Sequence, residues 1–151
     1  MKKILLFLSA GLILVIFVIN FFLLKNNENK IKAKIGNQIF ILEVADTEAK
    51  RSRGLSGRKS LGRNEGMLFI FNKKERYTFW MKDMEIPLDF IWLDDNTVAD
   101  ITKNVLPPNY DLDNLKLYNP MIPVNKVIEI NADTIERLQL SVGENIEFLD
   151  S

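Results

Sequence analysis

This chain of 151 residues contains neither cysteine nor histidine. Their absence excludes histidine bases, cysteine nucleophiles, disulfides and zinc sites built on either ligand, so no metal and no cofactor is predicted. The 20 Lys and Arg balance the 20 Asp and Glu, and this net charge of zero indicates no basic face for a nucleic acid.

The first predicted element is a membrane segment, because residues 4–24 are almost entirely apolar. As a helix rising about 1.5 Å per residue, this stretch is as long as a bilayer core is thick, roughly 30 Å. We predict that residues 1–24 form an uncleaved anchor, since no small-residue cleavage site follows them, and a cleaved secretory signal is the alternative. The short N-terminal tail favours a C-terminal domain outside the cytoplasm, which would be secreted after cleavage.

A polar tether, residues 25–30, precedes a single soluble domain predicted over residues 31–151. The domain begins with alternating apolar and polar residues on both sides of Gly36-Asn37. This pattern is typical of a β-hairpin with a tight turn. The domain is therefore predicted to open with two paired strands.

Short strands dominate the rest of the predicted domain. One short helix is predicted after Thr47, which is a suitable N-cap, and a second helix is predicted over 132–140. The polar stretch 72–76 is predicted to be a connection, and the proline-rich stretch 107–123 an irregular loop. Strands are predicted where apolar runs of strand length occur, at 67–71, 77–81, 90–93, 98–102, 124–130 and 146–149.

This succession of elements predicts a β-rich α+β domain with two short helices, preceded by the N-terminal membrane helix. An open or partly closed, barrel-like sheet is the predicted packing, because closure protects the edges of the strands.

Three groups of motifs in the chain resemble a known family. They are Arg53-Gly54-Leu55, then Gly66-Met67-Leu68-Phe69, then Phe79-Trp80-Met81-Lys82 with Ile86-Pro87-Leu88-Asp89. In order and spacing they resemble the domain of unknown function 192 family. The resemblance implies a compact β-rich domain, often behind a signal or membrane segment, and no established activity. The chain departs from the family pattern at Ser56, at Asp83-Met84 and in a proline-rich loop without cysteine.

Five residues in and around these motifs are candidate ligand-binding groups: Arg53, Trp80, Lys82, Asp83 and Asp89. A tryptophan ring could stack on a sugar or another flat ligand, and an arginine fork suits a carboxylate or a phosphate. The competing interpretation is structural. Trp80 would then pack in the core, and Arg53 would form an ion pair with Asp89 that holds the helix to a strand.

The sequence therefore predicts a membrane-anchored extracytoplasmic module that binds an envelope glycan, a small ligand or a protein partner, with no catalytic residue of its own. Two alternatives stay open. A carboxylate-dependent glycan hydrolase would bring two of Asp83, Glu85 and Asp89 to about 5–10 Å from each other across a cleft. A structural envelope protein would instead show an exposed apolar patch of several hundred Å².

Overall fold

The structure of the protein, a computed structural model, describes residues 29–108 and 115–149. The predicted anchor, residues 1–24, and most of the tether lie outside the described residues. Within the described part of the chain, no helix has the length and apolar character needed to cross a membrane.

Most of the described chain is β-structure. Seven strands form one sheet in the order β6-β5-β8-β3-β2-β1-β9, and β4 pairs with β7 in a separate ribbon. The strands are β1 (Lys30–Ile35), β2 (Gln38–Ala45), β3 (Glu65–Glu75), β4 (Phe79–Trp80), β5 (Leu88–Asp94), β6 (Thr97–Val105), β7 (Leu117–Tyr118), β8 (Val124–Asn131) and β9 (Glu147–Leu149). The helices are α1 (Glu48–Arg53) and α2 (Thr134–Leu138). The large sheet is curled into a half-barrel, which confirms the predicted β-rich domain with two short helices.

The β1–β2 hairpin follows directly from the alternation of apolar and polar residues around Gly36. Ala33 and Ile35 on β1 and Phe40 and Leu42 on β2 are buried, while the residues between them are mostly exposed. Gly36 has a φ of +58° at the turn, a conformation that glycine adopts without a steric cost. The predicted hairpin is confirmed.

The parallel pairing of β2 with β3 contrasts with the other ladders of the large sheet, which are antiparallel. Parallel neighbours cannot be joined by a tight turn, because the chain must cross back to the end of the sheet where it started. Residues 46–64 make this crossover and carry α1.

Both faces of the central strands are covered. One face, which includes Leu42, Ile91 and Ile128, packs against Ile135 of α2. The opposite face, which includes Phe69, Phe90, Trp92 and Val127, packs against Leu55 and the β4–β7 ribbon. Burial on two faces explains why residues 88–93 of β5 form an uninterrupted buried run rather than an alternating one.

Three predicted boundaries are wrong. The stretch 72–76 is largely part of β3, which continues as an exposed, irregular extension to a pairing of Glu75 with Val124. The helix predicted over 132–140 is shortened to α2, because Asp133 and Gln139 at its two ends have positive φ. The proline-rich loop contains strand β7, and its residues 109–114 lie outside the described residues.

Gly66 of β3 occupies the tightest point of the sheet. A Cβ atom at this position would lie 2.5 Å from the backbone oxygen of Glu129 and 2.8 Å from Cγ2 of Ile130. We expect Gly66→Ala to lower the free energy of unfolding by about 3 kcal/mol, measured by urea denaturation, because backbone atoms on β8 would have to move.

Gly62→Ala is the matched control for this substitution. The three atoms nearest to its added Cβ all belong to the flexible side chain of Glu65, with a carboxylate oxygen at 2.7 Å, and we expect a loss of less than about 1 kcal/mol. Equal urea midpoints for the two variants would contradict the prediction.

Candidate functional site

A cleft of about 280 Å³ opens on the sheet face that carries Phe69 and Phe90. Its walls come from α1 and the turn that follows it, from β3, and from the chain around β4. The lining residues are Glu48, Arg51, Ser52, Arg53, Gly54, Leu55, Ser56, Phe69, Phe71, Tyr77, Thr78, Phe79, Trp80, Lys82, Met84 and Glu129.

The helix α1 lies at the mouth of the cleft, and capping residues define both of its ends. The hydroxyl of Thr47 accepts a hydrogen bond from the backbone N–H of Lys50 at 3.3 Å and so caps the helix N-terminus. Gly54 ends the helix with a φ of +50°, and the next residue, Leu55, is buried in the core below. This anchored turn leaves Arg53 exposed at the rim.

Aromatic rings form much of the wall. The ring centroids of Phe69 and Phe79 lie 5.0 Å apart in an edge-to-face arrangement, and the rings of Phe71 and Tyr77 stack at 3.6 Å. Trp80, which follows Phe79 on β4, also lines the cleft, and 55% of its surface is exposed. The cleft therefore has a rigid aromatic interior and an exposed indole at its edge.

Arg51 is positioned by neutral partners. Its Nη1 donates hydrogen bonds to the backbone oxygens of Asp46 at 2.7 Å and Ile70 at 2.9 Å. Its guanidinium carbon lies 5.2 Å from the ring centroid of Phe71. These partner atoms carry no net charge, and the nearby Asp46 carboxylate, which pairs with Lys50, offsets the positive charge of Arg51 only in part.

Glu129 lies at the floor of the cleft, on β8. Its neighbours across the two adjacent strands are Met67 and Phe90, which place its side chain on the apolar face of the sheet. Only 5% of its surface is exposed, and this burial raises the pKa of its carboxyl to about 8. In the part of the chain that the structure describes, no residue forms a hydrogen bond or an ion pair with this carboxyl.

Glu129 is absent from the candidates that the sequence motifs suggest, although a signal for it exists. It stands between Ile128 and Ile130 in a run that reads as a strand, VNKVIEIN. A glutamate inside a strand that is buried on both faces has no solvent-exposed face to occupy. Recognising that β8 is such a central strand requires the topology, which the sequence motifs did not provide.

Three of the five predicted ligand-binding residues line the cleft: Arg53, Trp80 and Lys82. Asp83 does not line it. This residue is exposed in the turn after Lys82, with a φ of +57°, and its backbone oxygen accepts a hydrogen bond from the N–H of Gly57 at 2.8 Å.

Asp89 lies on the other side of the sheet, and the predicted Arg53–Asp89 ion pair is wrong. Side chains alternate along β5, so Phe90 faces the cleft side and Asp89 the side of α2. The Asp89 carboxylate accepts hydrogen bonds from the backbone N–H groups of Asn104 and Ile135, both at 2.8 Å. Burial raises the pKa of Asp89, and these hydrogen bonds oppose the rise.

The carboxylates proposed for glycan hydrolysis do not assemble in the cleft. Asp83 and Glu85 are exposed and Asp89 is buried behind the sheet, and none of the three lines the cleft. The two carboxyl groups that do line it are Glu129 and, on α1, Glu48. Among residues 29–108 and 115–149, no acidic cluster could hold a metal ion.

Comparison with known proteins identifies relatives of this fold. The model of the DUF192 family, described as "Uncharacterized ACR", matches residues 30–148. A crystal structure from Sinorhizobium meliloti 1021, described as a candidate transcription regulator, is 28% identical with a TM-score of 0.73, over 80% of this chain and 95% of that one. A protein of unknown function from Novosphingobium aromaticivorans DSM 12444 is 32% identical with a TM-score of 0.68, over 80% and 84%. No curated protein matches the chain.

Proposed function

The chain belongs to the uncharacterised DUF192 family, and we propose that its domain is a binding module for a small ligand, which enters the cleft above Glu129. The observation that carries this proposal is that the Glu129 carboxyl, on a side chain only 5% exposed, opens on the cleft and has no partner among the described residues. A mostly buried polar group that lacks a hydrogen bond costs folding free energy, up to about 1–3 kcal/mol where solvent is fully excluded. A methionine or leucine would fill the same place without that cost, so a ligand group is the natural partner for the carboxyl.

The composition of the walls supports the same proposal. Small-molecule sites are concave and mostly apolar, with a few polar groups that fix the orientation of the ligand. The cleft combines the rings of Phe69 and Phe79 with one carboxyl at the floor and hydroxyls such as that of Thr78 near the rim. Its volume of about 280 Å³ suits a small molecule rather than a folded partner.

The proposed anchor bears on where the domain meets its ligand. If residues 1–24 hold the chain in a membrane with the domain on the outer side, the ligand is one that is present at the cell envelope. A free small molecule, or a single ring of an envelope glycan stacked on Trp80, fits the cleft. One relative is described as a transcription regulator, but the net charge of this chain is zero and does not favour binding to DNA.

The direct test is a thermal-shift screen of small acids, amides, amines and monosaccharides on the full chain in a non-ionic detergent. A ligand of the native state must raise the melting temperature. We expect at least one compound to stabilise the protein by several degrees and to bind Glu129→Met at least about tenfold more weakly, because the variant has no polar group at the floor.

Glu147→Gln is the matched control, since it removes an exposed glutamate on β9, far from the lining of the cleft. This variant should bind every hit as the unmodified chain does. The proposal is overturned if no compound in the screen depends on Glu129.

Acid–base catalysis is a second candidate function for the same cleft. The pKa of Glu129, raised to about 8, lies near neutral pH, where a carboxyl can donate and accept a proton efficiently. Turnover of a cleft ligand that disappears in Glu129→Gln, while binding of that ligand persists, would favour catalysis over binding alone.

A further inference from the structure

The mouth of the cleft carries an excess of positive charge. Arg51, Arg53 and Lys82 are the cationic lining residues, and Glu48 is the acidic residue beside them. Three positive side chains and one negative side chain therefore face the cleft at its mouth, a net excess of two, and the largely buried Glu129 lies below them at the floor. The whole chain has a net charge of zero, so this excess is a local property of the cleft.

These cations are not used in ion pairs. Arg51 donates to backbone oxygens, and neither Arg53 nor Lys82 has an ion-pair partner among the described residues. Two other acids pair with cations that do not line the cleft: Asp46 binds Lys50 at 3.0 Å, and Glu43 binds Arg58.

From this arrangement we infer that the ligand of the cleft is a small aromatic anion, bound with its anionic group at Arg53 and Lys82, its ring against the aromatic wall and a hydrogen-bonding group of that ring at Glu129. The inference rests on the proposed binding function. A guanidinium fork matches the two oxygens of a carboxylate, and an ammonium group adds a second charge-assisted hydrogen bond. The edge-to-face pair of Phe69 and Phe79 suits a flat ring, because aromatic rings prefer such contacts.

The opposite orientation is unfavourable. An anion at the floor would lose its hydration among apolar side chains and would meet the carboxyl of Glu129, which repels it when ionised. At the mouth, the same anion keeps part of its hydration and gains the cations. The orientation therefore follows from where solvent and charge are found in the cleft.

A matched set of three probes tests the charge of the ligand: 3-(4-hydroxyphenyl)propanoate, 3-(4-hydroxyphenyl)propanamide and 3-(4-hydroxyphenyl)propylamine, each with a ring hydroxyl for Glu129. They share a ring and a chain and differ only in a group that is anionic, neutral or cationic. Binding is followed by tryptophan fluorescence of the full chain in a non-ionic detergent. Trp80 at the rim responds to the probe, whereas Trp92 is fully buried and gives a constant background that the variant Trp80→Phe isolates.

We expect the carboxylate to bind at least about tenfold more tightly than the amide, and this advantage to shrink as the salt concentration rises. The double variant Arg53→Gln with Lys82→Gln should lose this preference and bind the carboxylate only as well as it binds the amide. Lys103→Gln is the control, since Lys103 is exposed on β6 and does not line the cleft.

The inference is overturned if the amide binds as tightly as the carboxylate, or if the amine binds best. It is also overturned if the three probes fail to bind at about 10 mM while the broader screen finds a neutral or cationic ligand that requires Glu129. Those outcomes leave the binding function intact, whereas a screen with no ligand that requires Glu129 overturns the binding function itself.

Discussion

Asp89→Ala is expected to lower the free energy of unfolding by about 4 kcal/mol, enough to leave a domain of this size close to unfolding. The carboxylate is completely buried and receives the backbone N–H groups of Asn104 on β6 and Ile135 on α2. Removing it leaves the N–H of Ile135 buried, and the N–H of Asn104 partly buried, without this acceptor. Chemical denaturation monitored by circular dichroism measures the loss.

The amide variant separates hydrogen bonding from volume. Asp89→Asn keeps the size of the side chain but turns one acceptor into a donor that faces an N–H group, and we expect it to cost about 2 kcal/mol. Asp83→Asn is the control. It makes the same chemical change at an exposed position with positive φ, which asparagine tolerates, and should alter stability by less than about 0.5 kcal/mol. Similar losses at the two positions would contradict the role assigned to Asp89.

Stability should also fall as the pH rises through the range in which Glu129 resists ionisation. The pKa of this carboxyl is raised to about 8 in the folded protein, above its ordinary value of 4.5, so the folded state holds a proton that the unfolded state releases. The contribution of Glu129 to stability is therefore intact below about pH 4.5 and declines until about pH 8. Between pH 6 and 9, we expect the protein to lose about 2 kcal/mol more than Glu129→Gln loses.

The comparison with Glu129→Gln isolates this group from the others. Burial also raises the pKa of Asp89, but both proteins contain Asp89, and its effect cancels in the difference. Urea midpoints at several pH values provide the data. Parallel pH profiles for the two proteins would show that the Glu129 carboxyl ionises normally and that its burial is not unfavourable.

The sequence predicts the periphery of the fold better than its centre. Alternation around Gly36 is enough for the β1–β2 hairpin, and the Thr47 cap is enough for α1, because both signals are local. The extension of β3 through polar residues could not be foreseen in this way. Its residue Glu75 pairs with Val124, almost fifty residues later in the chain, and the local composition does not identify that partner.

The residues of the candidate site divide in the same way, into those that local motifs predict and those whose position depends on the topology. Arg53, Trp80 and Lys82 belong to family-like motifs, and the structure brings all three to one cleft. The error at Asp89 comes from the side of the strand on which the residue lies: a shift of one residue along β5 changes the face of the sheet. Predicting the burial of Glu129 requires still more information, because its burial depends on the strands on both sides of β8.

The parallel β2–β3 pair has a consequence for how this family can diversify. Because this pairing requires a crossover, residues 46–64 leave one end of the sheet and return at the other, and they carry Arg51 and Arg53 to the mouth of the cleft. The floor is supplied by β8 and does not depend on that segment. Evolution or an engineer could therefore exchange the crossover to change which ligand is admitted, while the acid at the floor and the sheet that supports it are inherited unchanged.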